Sequence, residues 1–557
     1  LDQSGSGLLK FSSAFTATGS GVKTLTLQGS TAGAGEIGGA IVDSTSVTAL
    51  AKAGTGTWIL SGVNTFGGTI TIGGGTLDLS GAGQLGSGTY AVAITNNAGL
   101  TIGSSAAQTL SGIMSGTGWL TKTNSGNMTL SGNNFYSGGT TNISAMPGKI
   151  IAGHSSAFGT GMISLVTTNN GTASSLDLTG GINITNSVTI DAAAGRQNIY
   201  NTSGVNTLSG PVTISGTGKI VIFANNAGAS LMTVSGTVTG LTFASNLSLR
   251  GSGTSALLSG QVGIKGSLDI NGVCNWTVSS TGNQWNWAAL LSTGNLVLGA
   301  TDALCTTGRL QWSSTAAGDF DLAGYNQTLT GLDVPATSSS PSVGNSSGTT
   351  DSSLTLSNVL NYTFAGALVD TLGAGSRKLS LVKTGTATQI LTGVSTYTGP
   401  TTILAGALDL SGAGQFGSGT YAAAITNNAS LVIGTSAAQT LSGAISGPGS
   451  LTKTNTATLT LAGNTSTYAG ATTIKAGSVI AGTVNGQTGI SPSSAVLLGD
   501  TTGSANATLQ WGTANTTTFG NSVTVQSGNS GTIALNGSGN ITLNGTVTRM
   551  EWVNPHS

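Results

Sequence analysis

Residues 77–124 and 408–455 are nearly one sequence written twice: aligned without a gap, Leu77 on Leu408, they agree at 39 of 48 positions. Inside each half a shorter motif returns. Lys52 opens a run that reads a Gly turn, then Trp58-Ile59-Leu60-Ser61-Gly62-Val63-Asn64-Thr65-Phe66-Gly67-Gly68-Thr69-Ile70-Thr71-Ile72, then Leu77-Asp78-Leu79. Related runs open at Lys122, Lys383 and Lys453, and the interval from Lys52 to Lys122 equals that from Lys383 to Lys453. A chain built this way repeats one small unit and stacks it, because no single unit can bury its own apolar face. Stacking units commonly run about 20 to 45 residues, so the interval between paired lysines spans about three turns.

The units are made of strands. Thr24-Leu25-Thr26-Leu27, Thr76-Leu77-Asp78-Leu79, Val212-Thr213-Ile214, Leu354-Thr355-Leu356-Ser357 and Ile541-Thr542-Leu543 alternate apolar and polar residues with period two, which sends one set to each face. Most runs stop within a few residues at Gly or Asn, the residues that accept tight turns. Helical periodicity extends no further than Trp287 to Leu291.

Composition fits this architecture and excludes others. Of 557 residues only 6% are charged, with 16 basic and 16 acidic side chains, against about 25% in an average soluble domain. There is no basic stripe to neutralise phosphates, which excludes nucleic acid as a partner. At 38% hydrophobic residues and a mean hydropathy of +0.22 the chain is not of disordered type. Its apolar runs are short, as in Ile220-Val221-Ile222-Phe223-Ala224, whereas a membrane helix needs about 18 apolar residues or more. The 90 glycines follow no three-residue period, so the chain is not collagen. Parallel coils stack at about 4.8 Å. Like charges repel at that spacing, whereas Ser, Thr and Asn ladders hydrogen-bond to their own copies.

The expected fold is therefore all-β, a single elongated parallel β-solenoid with few or no helices. At roughly 22 residues per coil it would have about 25 coils and form a rod on the order of 120 Å long. The expected organisation is 1–51 as N-terminal coils, 52–159 as a first repeat block, 160–382 as degenerate coils with an exposed loop at 334–353, 383–482 as a second repeat block, and 483–557 as C-terminal coils.

Thr129-Leu130-Ser131-Gly132-Asn133-Asn134-Phe135-Tyr136-Ser137-Gly138-Gly139-Thr140-Thr141, and Leu459-Thr460-Leu461-Ala462-Gly463-Asn464 through Tyr468-Ala469-Gly470-Ala471-Thr472-Thr473-Ile474, resemble the passenger-associated strand repeat of bacterial autotransporters. Gly308-Arg309-Leu310-Gln311-Trp312 and the stretch from Phe320 to Leu329 look like the sequence between such repeats. The resemblance implies a right-handed parallel β-helix that is secreted and displayed on a bacterial surface. The sequence has no initiating Met, no signal peptide and no terminal membrane strand at Arg549 to Ser557. This fits a piece, processed or partial, of something longer.

Sites are sparse. Cys274 and Cys305 are spaced closely enough for neighbouring coils, and are read either as a disulfide between them or as two buried thiols. Asp319 and Asp321 share one face of a strand, with Asp333 further on, and offer either a calcium site or solvated charges near a turn. Trp276, Trp285 and Trp287 form the densest aromatic patch, suited either to stacking on sugars or to packing against a loop or neighbouring subunit. His154 and His556 are the two histidines, and neither has a Ser/Asp partner or zinc-ligand spacing. Thr-rich faces raise the idea of ice binding, but the Thr pairs are irregularly spaced and interrupted by Gly.

From this we expect no catalytic residues, no cofactor, no bound metal and no membrane insertion. The expected role is an extracellular structural solenoid, a bacterial surface stalk or fibre that self-associates end to end. The alternatives are an adhesin that binds glycans or a surface and, of least weight, a β-helical polysaccharide-degrading enzyme.

Overall fold

A computed structural model describes the chain except residues 31–32, 145–147, 168–174, 193–195, 216–219, 243–244, 314–317, 335–340, 503–504, 513–514, 528–530, 536–538 and 550–557. Among the described residues the only helical pieces are the single 3-10 turns Gly86–Gly88 and Gly417–Gly419. Among the described residues no helix is long and apolar enough to cross a membrane. The rest of the regular structure is short strands, every one paired in parallel, joined by turns and bends. The chain divides into two compact units, Leu1–Trp287 and Ala288–Ser557.

In the first unit a 12-stranded sheet runs from Leu9–Phe11 to Val262–Gly263, each strand one turn further along the chain than the last. A second face carries strands from Thr89–Tyr90 to Leu268–Ile270, and a third carries short strands such as Ile94–Asn96 and Asn206–Leu208. Each turn thus makes three sides. The second unit repeats the plan, with a nine-stranded sheet from Tyr362–Phe364 to Val547–Arg549 and two six-stranded sheets. The fold is a parallel β-solenoid of about 21 turns. That is fewer than expected because many turns are longer than the expected coil, as from Leu208 to its stacked partner Val234 and from Val479 to Leu509, although the one from Leu100 to Leu120 is shorter.

Alternation fixes which side chains face inward. Leu79, Ile102, Leu165, Ile190 and Ile214 belong to one interior file, all essentially without exposure, and Leu77, Leu100, Leu120, Ile163 and Val188 to the next. Burying each such side chain contributes about 1.5–3 kcal/mol. Corners are closed by glycine. Gly210, Gly236 and Gly260 follow stacked strands, and a Cβ on any of them would fall 1.9 Å from a carbonyl oxygen of the preceding turn. The corners pack as backbone on backbone.

The stretch 334–353, expected as one exposed loop, holds an exposed loop among its described residues only at 346–351, between two pieces of solenoid. Residues 335–340 lie outside the described residues, but Ser342–Asn345 is a strand between Phe320–Asp321 and Ala367–Thr371, with Val343 and Asn345 fully buried. Ser352–Leu356 likewise pairs with Gln327–Leu329 and Leu379–Lys383. Few apolar residues suffice there because only alternate positions face the core.

Candidate functional site

The four motif lysines end strands whose alternation turns them inward. Lys52, Lys122, Lys383 and Lys453 are all at most 1% exposed. An ammonium in such a place must donate hydrogen bonds or be neutral. Each one finds backbone carbonyls at the corner that follows it. Lys52 Nζ donates to the carbonyls of Ala53 (2.7 Å), Gly54 (3.0 Å) and, one turn on, Gly74 (2.9 Å). Lys122 donates to Thr123 and Asn124, Lys383 to Gly385 and Ala405, and Lys453 to Asn455. Left-handed backbone at Gly54 (φ 67°) and Asn124 (φ 51°) forms two of these corners. Burial pushes Lys122, Lys383 and Lys453 down to about 8 and lowers Lys52 as well.

Interior amides do the same work for the strands. Gln108 accepts from Leu85 N (2.8 Å) and donates to the Leu85 carbonyl (3.1 Å), one turn earlier. Gln439 repeats this on Phe416 and Gln327 on Leu304, while Gln389 makes the same pair of bonds to Leu332, 57 residues earlier. Asn64 accepts from Ile41 N and donates to the Gly62 and Gln84 carbonyls, linking three turns. A buried backbone group left unpaired would cost about 1–3 kcal/mol, so each amide replaces a missing piece of the strand ladder.

On the outside, Thr101, Thr121, Thr141, Ser164, Thr189, Thr213 and Thr239 stack in register through seven consecutive turns. The hydroxyls that look irregular along the chain are regular in space, because the turns differ in length. They form a single file, with Ile143, Val166 and Asp191 beside it on the same face, and not a two-dimensional Thr lattice.

The candidates read from the sequence are dispersed. Trp276 is fully buried, its indole N–H donating to the Arg250 carbonyl at 3.0 Å, and Trp285 is also buried. Only Trp287, 67% exposed, faces solvent, so the three do not make an exposed aromatic patch. Alternation explains this: Cys274, Trp276 and Val278 all point inward. Cys274 and Cys305 are buried thiols, not a disulfide. Burial pushes the Cys274 thiol up to about 11, against a hydrogen bond from Asn225 that lowers it, and Cys305 Sγ lies 3.2 Å from Thr307 Oγ1. Asp319 accepts from Ser342 N (2.9 Å), and Asp321 from Ala323 N (2.8 Å) and Ser346 N (2.9 Å). These carboxylates brace backbone one turn away. Asp333, raised by burial against the opposing charge of Arg309, lies 3.6 Å from that guanidinium. His154 Nδ1 accepts from Ser156 N at 3.0 Å, and His556 lies outside the described residues.

What the sequence reading missed is the interior chemistry of the lysines and amides. The signal was present in the equal spacing of the lysine pairs and in the repeated Gln-Thr-Leu of Gln108, Gln327 and Gln439.

The model of the passenger-associated-transport-repeat matches residues 50–79, 120–145, 381–410 and 451–481. Each match begins two residues before one of the buried lysines, so the repeat and the lysine corner are the same feature. No curated protein and no solved structure matches the chain.

Proposed function

We propose, for a chain that carries the passenger-associated-transport-repeat at four places, a structural role: an extracellular solenoid, secreted or displayed on a bacterial surface, that serves as a stalk or fibre and associates end to end. One observation carries this reading. The buried lysines and amides bond mainly to backbone, repeatedly in neighbouring turns, which joins turn to turn along the axis. Edge-to-edge pairing of parallel strands, the contact each turn makes with the next, is the contact a further copy would use. Catalysis is no part of this reading, since His154, Asp319 and Asp321 are engaged with backbone amides. Sedimentation velocity tests it: the sedimentation coefficient is expected to rise with protein concentration without added ligand, and one constant species up to high concentration would contradict it.

An adhesin is the second reading, favoured by a difference between the two copies. Ile113 and Trp119 are 49% and 48% exposed, and their counterparts in the second copy are Ala444 and Ser450. Phe135, 56% exposed, precedes Tyr136 where Thr65, Thr396 and Thr467 precede Phe66, Tyr397 and Tyr468. One repeat is thus decorated with exposed apolar groups that its copies lack, and such groups mark contact surfaces. If they contact a glycan, Trp119→Ala combined with Phe135→Ala abolishes glycan-array binding. Unchanged binding would remove this reading and leave assembly untouched.

A further inference from the structure

Strands Ser175–Thr179 and Gln197–Ser203 pair with Ser175 beside Asn198 and Asp177 beside Tyr200. Leu176, Leu178 and Ile199 turn into the core, so Ser175, Asp177, Asn198 and Tyr200 share the outer face. That face is nonetheless covered: Ser175 and Asp177 are 3% exposed and Asn198 7%. Ser175 Oγ, Asp177 Oδ1 and Asn198 Oδ1 are all buried without a hydrogen-bond partner. Unpaired buried polar atoms are rare, and each one calls for a cause. A carboxylate and an amide carbonyl can only accept, and a hydroxyl oxygen can accept too, so this set is complementary to a cation.

A cation already stands at its edge. Lys149 Nζ lies 2.9 Å from Asp177 Oδ2 and 5.9 Å from the centroid of the Tyr200 ring. The Lys149 side chain is 45% exposed, so its ammonium can withdraw into water without unfolding anything. Carboxylate, amide carbonyl and hydroxyl oxygens are the ligands that hard cations take.

We propose that Ser175, Asp177 and Asn198 form a binding site for a hard metal cation of the Ca²⁺ class, in competition with the Lys149 ammonium. Terbium is the probe, because Tyr200 beside the site can sensitise its luminescence. With the intact chain, Tb³⁺ should give saturable emission under tyrosine excitation that Ca²⁺ displaces. Lys149→Met removes the competing charge and should tighten binding about tenfold, and Asp177→Asn should weaken it about tenfold or more. Tyr200→Phe should dim the emission and leave the thermal stabilisation by Ca²⁺ in place. Absence of saturable emission from both the intact chain and Lys149→Met would overturn the proposal and leave the three oxygens to buried water. Equal affinity in folded Asp177→Asn would overturn it as well.

Discussion

Gly236→Ala is expected to destabilise the first unit by about 3 kcal/mol or more. The new Cβ would stand 1.9 Å from the Gly210 carbonyl oxygen, and Gly260 is set equally close against the Gly236 carbonyl. Neither contact is with a flexible side chain, so the backbone of the corner must move. That would disturb the bonds from Ser235 N and Gly236 N to the Leu208 carbonyl, at 2.9 and 3.2 Å. Each turn of a solenoid is held by its neighbours, so damage should concentrate in Asn206–Leu208, Met232–Val234 and Ser255–Leu258. Hydrogen exchange would show accelerated opening there. Gly263→Ala is the control: no heavy atom lies within 4 Å of its Cβ, and its effect should stay within about 0.5 kcal/mol. Equal effects at both positions would mean that the corners are not closed by backbone contact.

Alkaline pH should stabilise the protein up to a limit. Lys122, Lys383 and Lys453 titrate at about 8 when folded, against about 10.4 in an unfolded chain. Below pH 8 the lysines are protonated in both states and the contribution is constant. Between about 8 and 10.4 the unfolded chain binds more protons, so the unfolding free energy rises with pH. With these values the three together should add on the order of 5 kcal/mol between pH 7.5 and 9.5. The buried tyrosines reverse the trend above about pH 10. Tyr90, Tyr136, Tyr397, Tyr421 and Tyr468 are all raised, first by burial, so they stay neutral when folded but ionise when unfolded. Melting temperature against pH should therefore peak near pH 9.5, and Lys122→Met should flatten the rise by about a third. A flat or falling profile from pH 7.5 to 9.5 would show that the carbonyl corners hold these lysines at their ordinary value.

Much of the fold could be read from residue order alone. Period-two runs ending at Gly or Asn marked the strands, and the return of 77–124 as 408–455 required stacking. Turn length could not be read, because a longer corner such as that between Val479 and Leu509 leaves the alternation within strands unchanged. The interior lysines were visible as a recurrence and yet opaque as chemistry. Lys usually lies at the surface, and what accommodates it here is a set of backbone carbonyls that no residue type announces. Trp276 shows the reverse case. Its alternation with Cys274 and Val278 already pointed it inward, and the density of tryptophans obscured that. For Asp319 and Asp321 the sequence placed the carboxylates, but their partners are amides of Ser342 and Ser346, in a stretch whose composition suggested a loop.

The most direct test of the structural role is electron microscopy of the purified chain in negative stain across a concentration series. We predict filaments of constant width that lengthen as concentration rises, with no ligand present. Discrete particles of one length at every concentration, or growth in width alone, would contradict end-to-end association.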